Sequence, residues 1–156
     1  MERLELKKCV FGVPKIQILG YSISAEGQEI SPDKIDAVKN YSRPINETTL
    51  RRFIGMVSFC RSFIDKFTDK AAPLYELLKK ENEFKWREEQ EISFEKLKLA
   101  MISAPVLVHP DTTKPYIMHT DASKIGIGAA LFQKQADDTI RPVAYSSRKL
   151  IAAELN

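Results

Sequence analysis

The stretch YIMHTDASKIGIGAALFQ, from Tyr116 to Gln133, contains two apolar runs joined by a short polar segment. Asp121 lies where the first run gives out, and Gly126 begins the second run. A third run, IRPVAYSS, follows at residues 140–147. Apolar runs separated by such short connections are typical of neighbouring antiparallel strands. The C-terminal part of the chain is therefore predicted to form a three-stranded antiparallel sheet.

Upstream of this sheet, the sequence predicts four helices. Ser–Pro–Asp at residues 31–33 is a helix start signal, because Ser caps the helix and Pro fits its first turn. A longer helix opens at Asn46, with apolar residues recurring on one face. Pro73 is tolerated in the third helix if it lies in the first turn. The expected helix bounds are about 31–41, 46–64, 68–78 and 88–103.

The N-terminal residues 5–30 predict a β-hairpin with its turn at residues 25–27. Within the second strand, KIQILGYSI, the apolar alternation slips by one position at Leu19–Gly20. Glycine at such a slip indicates a bulge or a close backbone approach. The predicted fold class is therefore α+β, with an N-terminal β-hairpin, a small helical bundle and an antiparallel three-stranded sheet.

Composition and charge restrict the class of protein. The chain has 156 residues, of which 44% are hydrophobic and 29% charged, as is usual for soluble globular chains. No apolar run approaches the ~20 residues of a membrane span, and the N-terminus lacks a secretory signal. We therefore expect no membrane partner and a location in the cytoplasm or nucleus. Cys9 and Cys60 are expected to be reduced, since no neighbouring Cys or His suggests a zinc site.

The net charge of +3 is unevenly distributed along the chain. Residues 31–80 carry ten basic and six acidic residues, whereas residues 81–110 carry four basic and six acidic ones. On a helical wheel of 100° per residue, Arg51, Gly55, Ser58 and Ser62 share one narrow stripe. Small residues beside cations allow a helix to approach a phosphate backbone, although a solvated face has the same composition.

Seven segments in order resemble the Pol polyproteins of gypsy-type LTR retrotransposons. They are FGVPKIQILGYSISAEGQEISPDKIDAV, LRRFIGMVSFCRSFI, KAAPLYELLKK, FKW, APVLVHPD, YIMHTDASKIGIGAALFQ and PVAYSSRKL. The resemblance implies the end of a palm with a primer-grip-like hairpin in residues 1–30 and a thumb-like helical subdomain in 31–82. It further implies a connecting segment with one helix in 83–114, and the truncated N-terminal part of an RNase H-like domain in 115–156.

The resemblance also implies roles for individual residues. Gly20 and Tyr21 resemble the primer grip, and the helix opening at Asn46 resembles the thumb helix that follows the template–primer duplex. The implied nucleic-acid contacts on that helix are Arg51, Arg52, Gly55, Ser58, Arg61 and Ser62. Cys60 and Ser62 depart from the family pattern, in which an aromatic and a basic residue are frequent. The implied partners are an RNA–DNA hybrid or DNA duplex and the remainder of the Pol polyprotein.

Asp121 has two interpretations. Its residue type and its place beside Ala–Ser fit an ordinary turn. By resemblance, it is the first catalytic carboxylate of RNase H and a ligand of Mg²⁺ or Mn²⁺. That chemistry uses two ions held by several carboxylates. The further carboxylates are expected beyond residue 156, so this chain alone is expected to bind no such ion stably.

Catalysis by the chain alone is not expected. The Tyr-x-Asp-Asp turn of the polymerase is absent from the sequence and is expected upstream of residue 1. Three hypotheses stay open: a nucleic-acid-binding fragment of a reverse transcriptase–RNase H, a nuclease completed by a second chain, and a retroelement-derived host protein with a protein-binding role. The C-terminal sheet is expected to pack on the fourth helix, to self-associate through its exposed face, or to be partly disordered.

Overall fold

The computed structural model describes residues 9–154 and confirms the predicted α+β class. Within that range, two antiparallel three-stranded sheets flank four α-helices in sequence. The N-terminal sheet contains β1 (Lys15–Ile18), β2 (Tyr21–Ser24) and β3 (Gly27–Ile30). The helices are α1 (Pro32–Lys39), α2 (Glu47–Phe59), α3 (Phe67–Glu76) and α4 (Glu88–Ile102). The C-terminal sheet contains β4 (Tyr116–Ala122), β5 (Gly126–Lys134) and β6 (Ile140–Lys149).

The N-terminal sheet has one turn more than the predicted hairpin. Leu19 and Gly20 both have positive φ, at 51° and 80°, and form a two-residue turn between β1 and β2. Two positive φ angles are the signature of a turn that matches the twist of a hairpin. The slip in alternation at Leu19–Gly20 is therefore a reversal of the chain and not a bulge within one strand.

The second helix is shorter than the sequence predicts. Asn46 caps α2 by accepting a hydrogen bond from the Thr49 backbone N–H at 2.9 Å. The α-helix ends at Phe59, and a 3₁₀ turn follows at Arg61–Phe63. The predicted end near residue 64 is therefore wrong. Arg61 and Ser62 lie beyond the α-helix, so the helical wheel does not describe their direction.

The helices enclose the hydrophobic core. Its fully buried members include Leu50, Phe53 and Val57 of α2, which pack with Phe94 and Leu97 of α4. The rings of Phe53 and Phe94 are 4.6 Å apart. These residues follow the helical spacing of the sequence, because only one face of each helix is covered.

The third helix begins at Phe67, directly after Lys66, which has a left-handed φ of 49°. Pro73 consequently lies in the second turn of α3, and its predicted place in the first turn is wrong. Phe67, the first residue of the helix, is buried in the core. The carbonyl of Pro73 accepts a hydrogen bond from Gln90 at 3.2 Å.

The connection between α4 and β4 ties the two sheets together. Leu107 exchanges two backbone hydrogen bonds of 2.8 Å with Gln28 of β3, and the next residue, Val108, donates to Pro142 of β6 at 2.9 Å. Gly27 has a φ of 139°, and a Cβ there would lie 2.1 Å from the Leu107 carbonyl oxygen. A residue other than glycine therefore cannot occupy position 27 without displacing this connection.

The C-terminal sheet packs mainly on α3 and the 3₁₀ turn. The hydroxyl of Ser147 on β6 accepts hydrogen bonds from the backbone N–H and the hydroxyl of Thr68, both at 3.0 Å. Arg61 donates to the Ser147 backbone carbonyl. The sequence predicted packing on the fourth helix, pairing with another chain or disorder. The sheet packs instead on α3, and this packing depends on contacts between side chains that are far apart in sequence.

Candidate carboxylate site and nucleic-acid interface

Asp121 lies within a strand and not in a turn. It belongs to β4 and is paired with Gly128 of β5. The turn is formed by Ser123, whose hydroxyl accepts hydrogen bonds from the backbone N–H groups of Ile125 at 3.1 Å and Gly126 at 3.0 Å. The interpretation of Asp121 as a turn residue is therefore wrong. Ser123 performs the local function that the sequence allowed for Asp121.

The carboxylate of Asp121 forms an ion pair with Lys66. Lys66 Nζ lies 2.5 Å from Asp121 Oδ2, and both side chains are about half exposed. The hydrogen bond from Lys66, and next its positive charge, lower the pKa of Asp121. The same contact raises the pKa of Lys66. At neutral pH the carboxylate is thus charged and held by a cation from the helical region.

An open cavity of 410 Å³ surrounds this ion pair. His119 and Asp121 are two positions apart on β4, so their side chains lie on the same face of the sheet. The rings of His119 and Phe132 are 5.1 Å apart, and Tyr145 of β6 also lines the cavity. Burial raises the pKa of Tyr145, which stays protonated at neutral pH. The site therefore combines the carboxylates of Asp121 and Asp65, one imidazole and a partly apolar wall.

The described residues do not form a complete metal site. Within residues 9–154, no group of three or more His, Cys, Asp or Glu residues could hold a metal ion. A two-metal site requires several converging carboxylates to hold both ions. Asp65 lines the same cavity as Asp121, but the nearest partner of Asp121 is a lysine. Asp121 thus supplies at most one ligand of such a site.

The exposed side of α2 carries three of the predicted nucleic-acid contacts. Arg51, Arg52 and Gly55 are exposed, and Arg51 pairs with Glu47 at 3.3 Å. A Cβ added at Gly55 would meet nothing within 4 Å. The helix backbone is therefore directly accessible at Gly55. Packing does not require glycine at position 55, because a side chain would fit there. Glycine is also unfavourable inside a helix, so helix stability does not explain it either.

The remaining residues of the predicted stripe diverge from it. Ser58 is half-buried, and its hydroxyl lies 3.3 Å from the hydroxyl of Tyr75 on α3. Arg61, in the 3₁₀ turn, is directed to the backbone carbonyl of Ser147. Ser62 is also half-buried in the same turn. The structure thus separates the exposed face of α2 from a second group of residues that lies between α3 and β6.

Tyr21 packs at the C-terminal end of α2, and Gly20 directly precedes it. The Tyr21 ring stacks on Phe59 at 5.0 Å and on Phe63 at 5.6 Å, and its hydroxyl donates to the Phe59 carbonyl at 2.8 Å. Burial raises the pKa of Tyr21. A Cβ at Gly20 would lie 2.7 Å from the Lys34 side chain. Tyr21 therefore anchors β2 on α2, and its hydroxyl is engaged within the protein.

Sequence reasoning missed three residues that shape the site. Lys66 and Ser147 carried no local signal, because their partners, Asp121 and Thr68, are distant in sequence. Gln133 did carry one: it is a polar residue in the apolar run of β5. Its buried amide accepts a hydrogen bond from the Asp111 N–H at 2.9 Å and donates to the Asp111 carbonyl at 2.8 Å. Gln133 thereby fixes the loop before β4.

The C-terminal sheet with its strand-borne carboxylate lies in a region that resembles a known family. Residues 86–156 match the family model described as an RNase H-like domain found in reverse transcriptase. The chain is also 40% identical, over 149 residues and 96% of its length, to the transposon Tf2-3 and Tf2-4 polyproteins of Schizosaccharomyces pombe. The chain is homologous to part of these transposon polyproteins, and its residues 86–156 resemble the RNase H-like domain found in reverse transcriptase. It spans 11% of the length of these two relatives.

Solved structures agree with this assignment. The foamy viral protease–reverse transcriptase in complex with dsDNA matches 96% of the chain with a TM-score of 0.77 and 26% identity. The chain covers 31% of that protein. The same viral protein in complex with an RNA/DNA hybrid matches 91% of the chain with a TM-score of 0.74 and 26% identity, and the chain covers 19% of it.

None of the helices in residues 9–154 has the length and apolar character needed to cross a membrane.

Proposed function

We propose that this chain holds template–primer nucleic acid, an RNA–DNA hybrid or DNA duplex, within a reverse transcriptase–RNase H of a gypsy-type Pol polyprotein. In this proposal, residues 1–30 are the end of the palm with the primer grip, 31–82 the thumb, 83–114 the connecting segment and 115–156 the start of RNase H. The activities of the whole protein would be RNA-directed DNA polymerase and hybrid ribonuclease, in the cytoplasm or nucleus.

The observation that carries the proposal is the exposed, unobstructed backbone of α2 at Gly55, beside Arg51 and Arg52. A helix that is small and basic on one side can lie against a phosphate backbone, with the arginines contacting phosphate oxygens. The viral structures support it, since chains similar over more than nine-tenths of this one are complexed with dsDNA or an RNA/DNA hybrid.

Within the proposed RNase H region, Asp121 would be the first carboxylate of the metal site. Its strand position and its cavity support this role, and the rest of the polyprotein would supply the other carboxylates. The described residues hold Asp121 ionised through Lys66. Because the carboxylate set is incomplete, we assign the chain alone a binding role.

The proposal is tested by titrating a fluorescent RNA–DNA hybrid with the chain at several salt concentrations. We expect binding that weakens steeply as salt rises, because phosphate contacts release counterions. R51Q/R52Q should weaken binding about tenfold at low salt, whereas K85Q/K134Q removes the same charge away from α2 and should have little effect. Lys85 and Lys134 are exposed and paired with Glu83 and Asp138.

Two outcomes would contradict the proposal. One is a wild-type chain that does not bind hybrid or duplex at low salt, which would favour a retroelement-derived host protein that acts through protein contacts. The other is that R51Q/R52Q and K85Q/K134Q weaken hybrid binding equally, which would show that binding depends on net charge and not on α2.

A further inference from the structure

We infer that a second nucleic-acid contact lies in a basic groove between α3 and the C-terminal sheet, where it binds the phosphate backbone of the duplex. The groove is a cavity of 440 Å³ lined by the cations Arg61, Lys79, Arg148 and Lys149, with Tyr75 and Ile125 among its apolar residues. The inference rests on the proposed function and adds a site that is separate from α2 and from Asp121.

The charged residues that line the groove are all of one sign. Four of the described residues that line it are cationic, and none of them is acidic. The carboxylates that pair with these cations, Glu76 and Glu154, lie outside the lining. A neighbouring cavity is lined instead by Glu76, Glu83 and Glu89 beside two cations. An open surface that collects cations without acids attracts a polyanion.

The two lysines of the groove are available to an incoming phosphate, whereas Arg148 is held by Glu154 through two hydrogen bonds of 2.7 Å. The side chains of Lys149 and Arg148 are 56% and 54% exposed, and that of Lys79 is 43% exposed. Glu76 serves both Lys79 and Lys149, so one carboxylate partly neutralises two ammonium groups. Lysine ammonium groups exchange partners readily, because they are flexible point charges with three donors each. A phosphate can therefore take the place of Glu76.

The groove begins next to the C-terminal end of α2, beyond the exposed face at Arg51, Arg52 and Gly55. Ser58 belongs to α2, and its hydroxyl lies 3.3 Å from that of Tyr75, which lines the groove. Arg61 lies in the turn that directly follows α2 and also lines the groove. A duplex lying along α2 would thus meet the groove next, which favours nucleic acid over an acidic protein segment.

The inference is tested with K79Q/K149Q in the same hybrid titration. We expect affinity to fall about tenfold at low salt, and the slope of log K against log salt to decrease by roughly one to two, since each lysine is one phosphate contact. The matched control, K85Q/K134Q, removes the same charge elsewhere and should leave both quantities nearly unchanged. Circular dichroism of each variant verifies the fold.

A variant with the opposite sign separates binding from structural damage. E76Q removes the carboxylate that neutralises Lys79 and Lys149 and should tighten hybrid binding several-fold, whereas E83Q, with the same charge change, should not. A structural role of Glu76 would give weaker binding instead.

The outcomes distinguish this inference from the proposed function. If the wild type binds and R51Q/R52Q weakens binding, but K79Q/K149Q behaves as its control does, the groove is not a contact and the proposed function stands. If E76Q fails to tighten binding, the groove is also rejected. If K79Q/K149Q lowers affinity for polyglutamate as much as for the hybrid, the groove is a site for acidic protein segments and the inference is wrong.

Discussion

Lys66 of the helical region and Asp121 of the C-terminal sheet form an ion pair in which Nζ and Oδ2 are 2.5 Å apart. The pair joins two regions separated by more than fifty residues. It places a cation directly beside the carboxylate that we propose as a metal ligand of the RNase H site. Lys66, with its left-handed backbone, directly precedes α3, which packs on β5 and β6, so the ion pair is part of the packing between the helices and the sheet.

Replacement of Lys66 should raise the pKa of Asp121. In K66Q we expect that pKa to return toward the ordinary aspartate value of about 3.9, because both the hydrogen bond and the positive charge are lost. The measurement is the pH titration of the Asp121 carboxyl carbon by NMR. K124Q removes a nearby exposed lysine and serves as the control. An unchanged Asp121 pKa in K66Q would mean that the ion pair does not persist in solution.

The same pair predicts a pH dependence of stability. Because the folded state lowers the pKa of Asp121, its contribution is present above the ordinary aspartate range and is lost as pH falls through the lowered value. Acid unfolding of K66Q should therefore lack this contribution, whereas K124Q should unfold as the wild type does. The comparison is made by urea unfolding at pH 7 and at pH 3.

Gly27→Ala should destabilise the protein strongly. The new Cβ would lie 2.1 Å from the Leu107 carbonyl oxygen, and the φ of 139° is unfavourable for alanine. We expect the free energy of unfolding to fall by about 2 kcal/mol or more, from backbone strain and the disturbed bridge to Gln28. Chemical denaturation measures the change. A loss below about 0.5 kcal/mol would show that the connection shifts freely.

Gly55→Ala should have opposite effects on stability and binding. Position 55 is open, so alanine should stabilise α2 by about 0.5–1 kcal/mol. If a duplex approaches the helix backbone there, the added methyl should weaken hybrid binding. The two measurements are denaturation and the hybrid titration. A more stable variant with unchanged affinity would contradict the proposed contact at Gly55.

Arg148→Lys should raise the pKa of Glu154. Arg148 holds that carboxylate with two hydrogen bonds of 2.7 Å and lowers its pKa to about 2. Lysine cannot make the paired contact, so the pKa should move toward about 4.3. The contact stabilises above the ordinary glutamate range and is lost as pH falls through about 2. NMR titration of Glu154 measures the shift, with Arg141→Lys on the same strand as control.

Much of the fold could be predicted from local patterns. The strand order of the C-terminal sheet and the four helices follow from apolar spacing and capping residues, which act over a few neighbours. The turn at Leu19–Gly20 was missed, because leucine at a positive φ is unusual and alternation alone suggested one strand. The early end of α2 was missed because the 3₁₀ turn continues a nearly helical pattern.

The sequence by itself determined the order of elements and the core faces of the helices. Through the seven segments that resemble Pol polyproteins, it also marked Asp121 as a candidate RNase H carboxylate. Only the tertiary structure decided the partners of those residues. It paired Asp121 with Lys66, directed Arg61 to Ser147 and gathered Lys79 and Lys149 into one groove. The reason is physical: periodicity reports which face of an element is buried, whereas ion pairs and grooves depend on how distant elements pack.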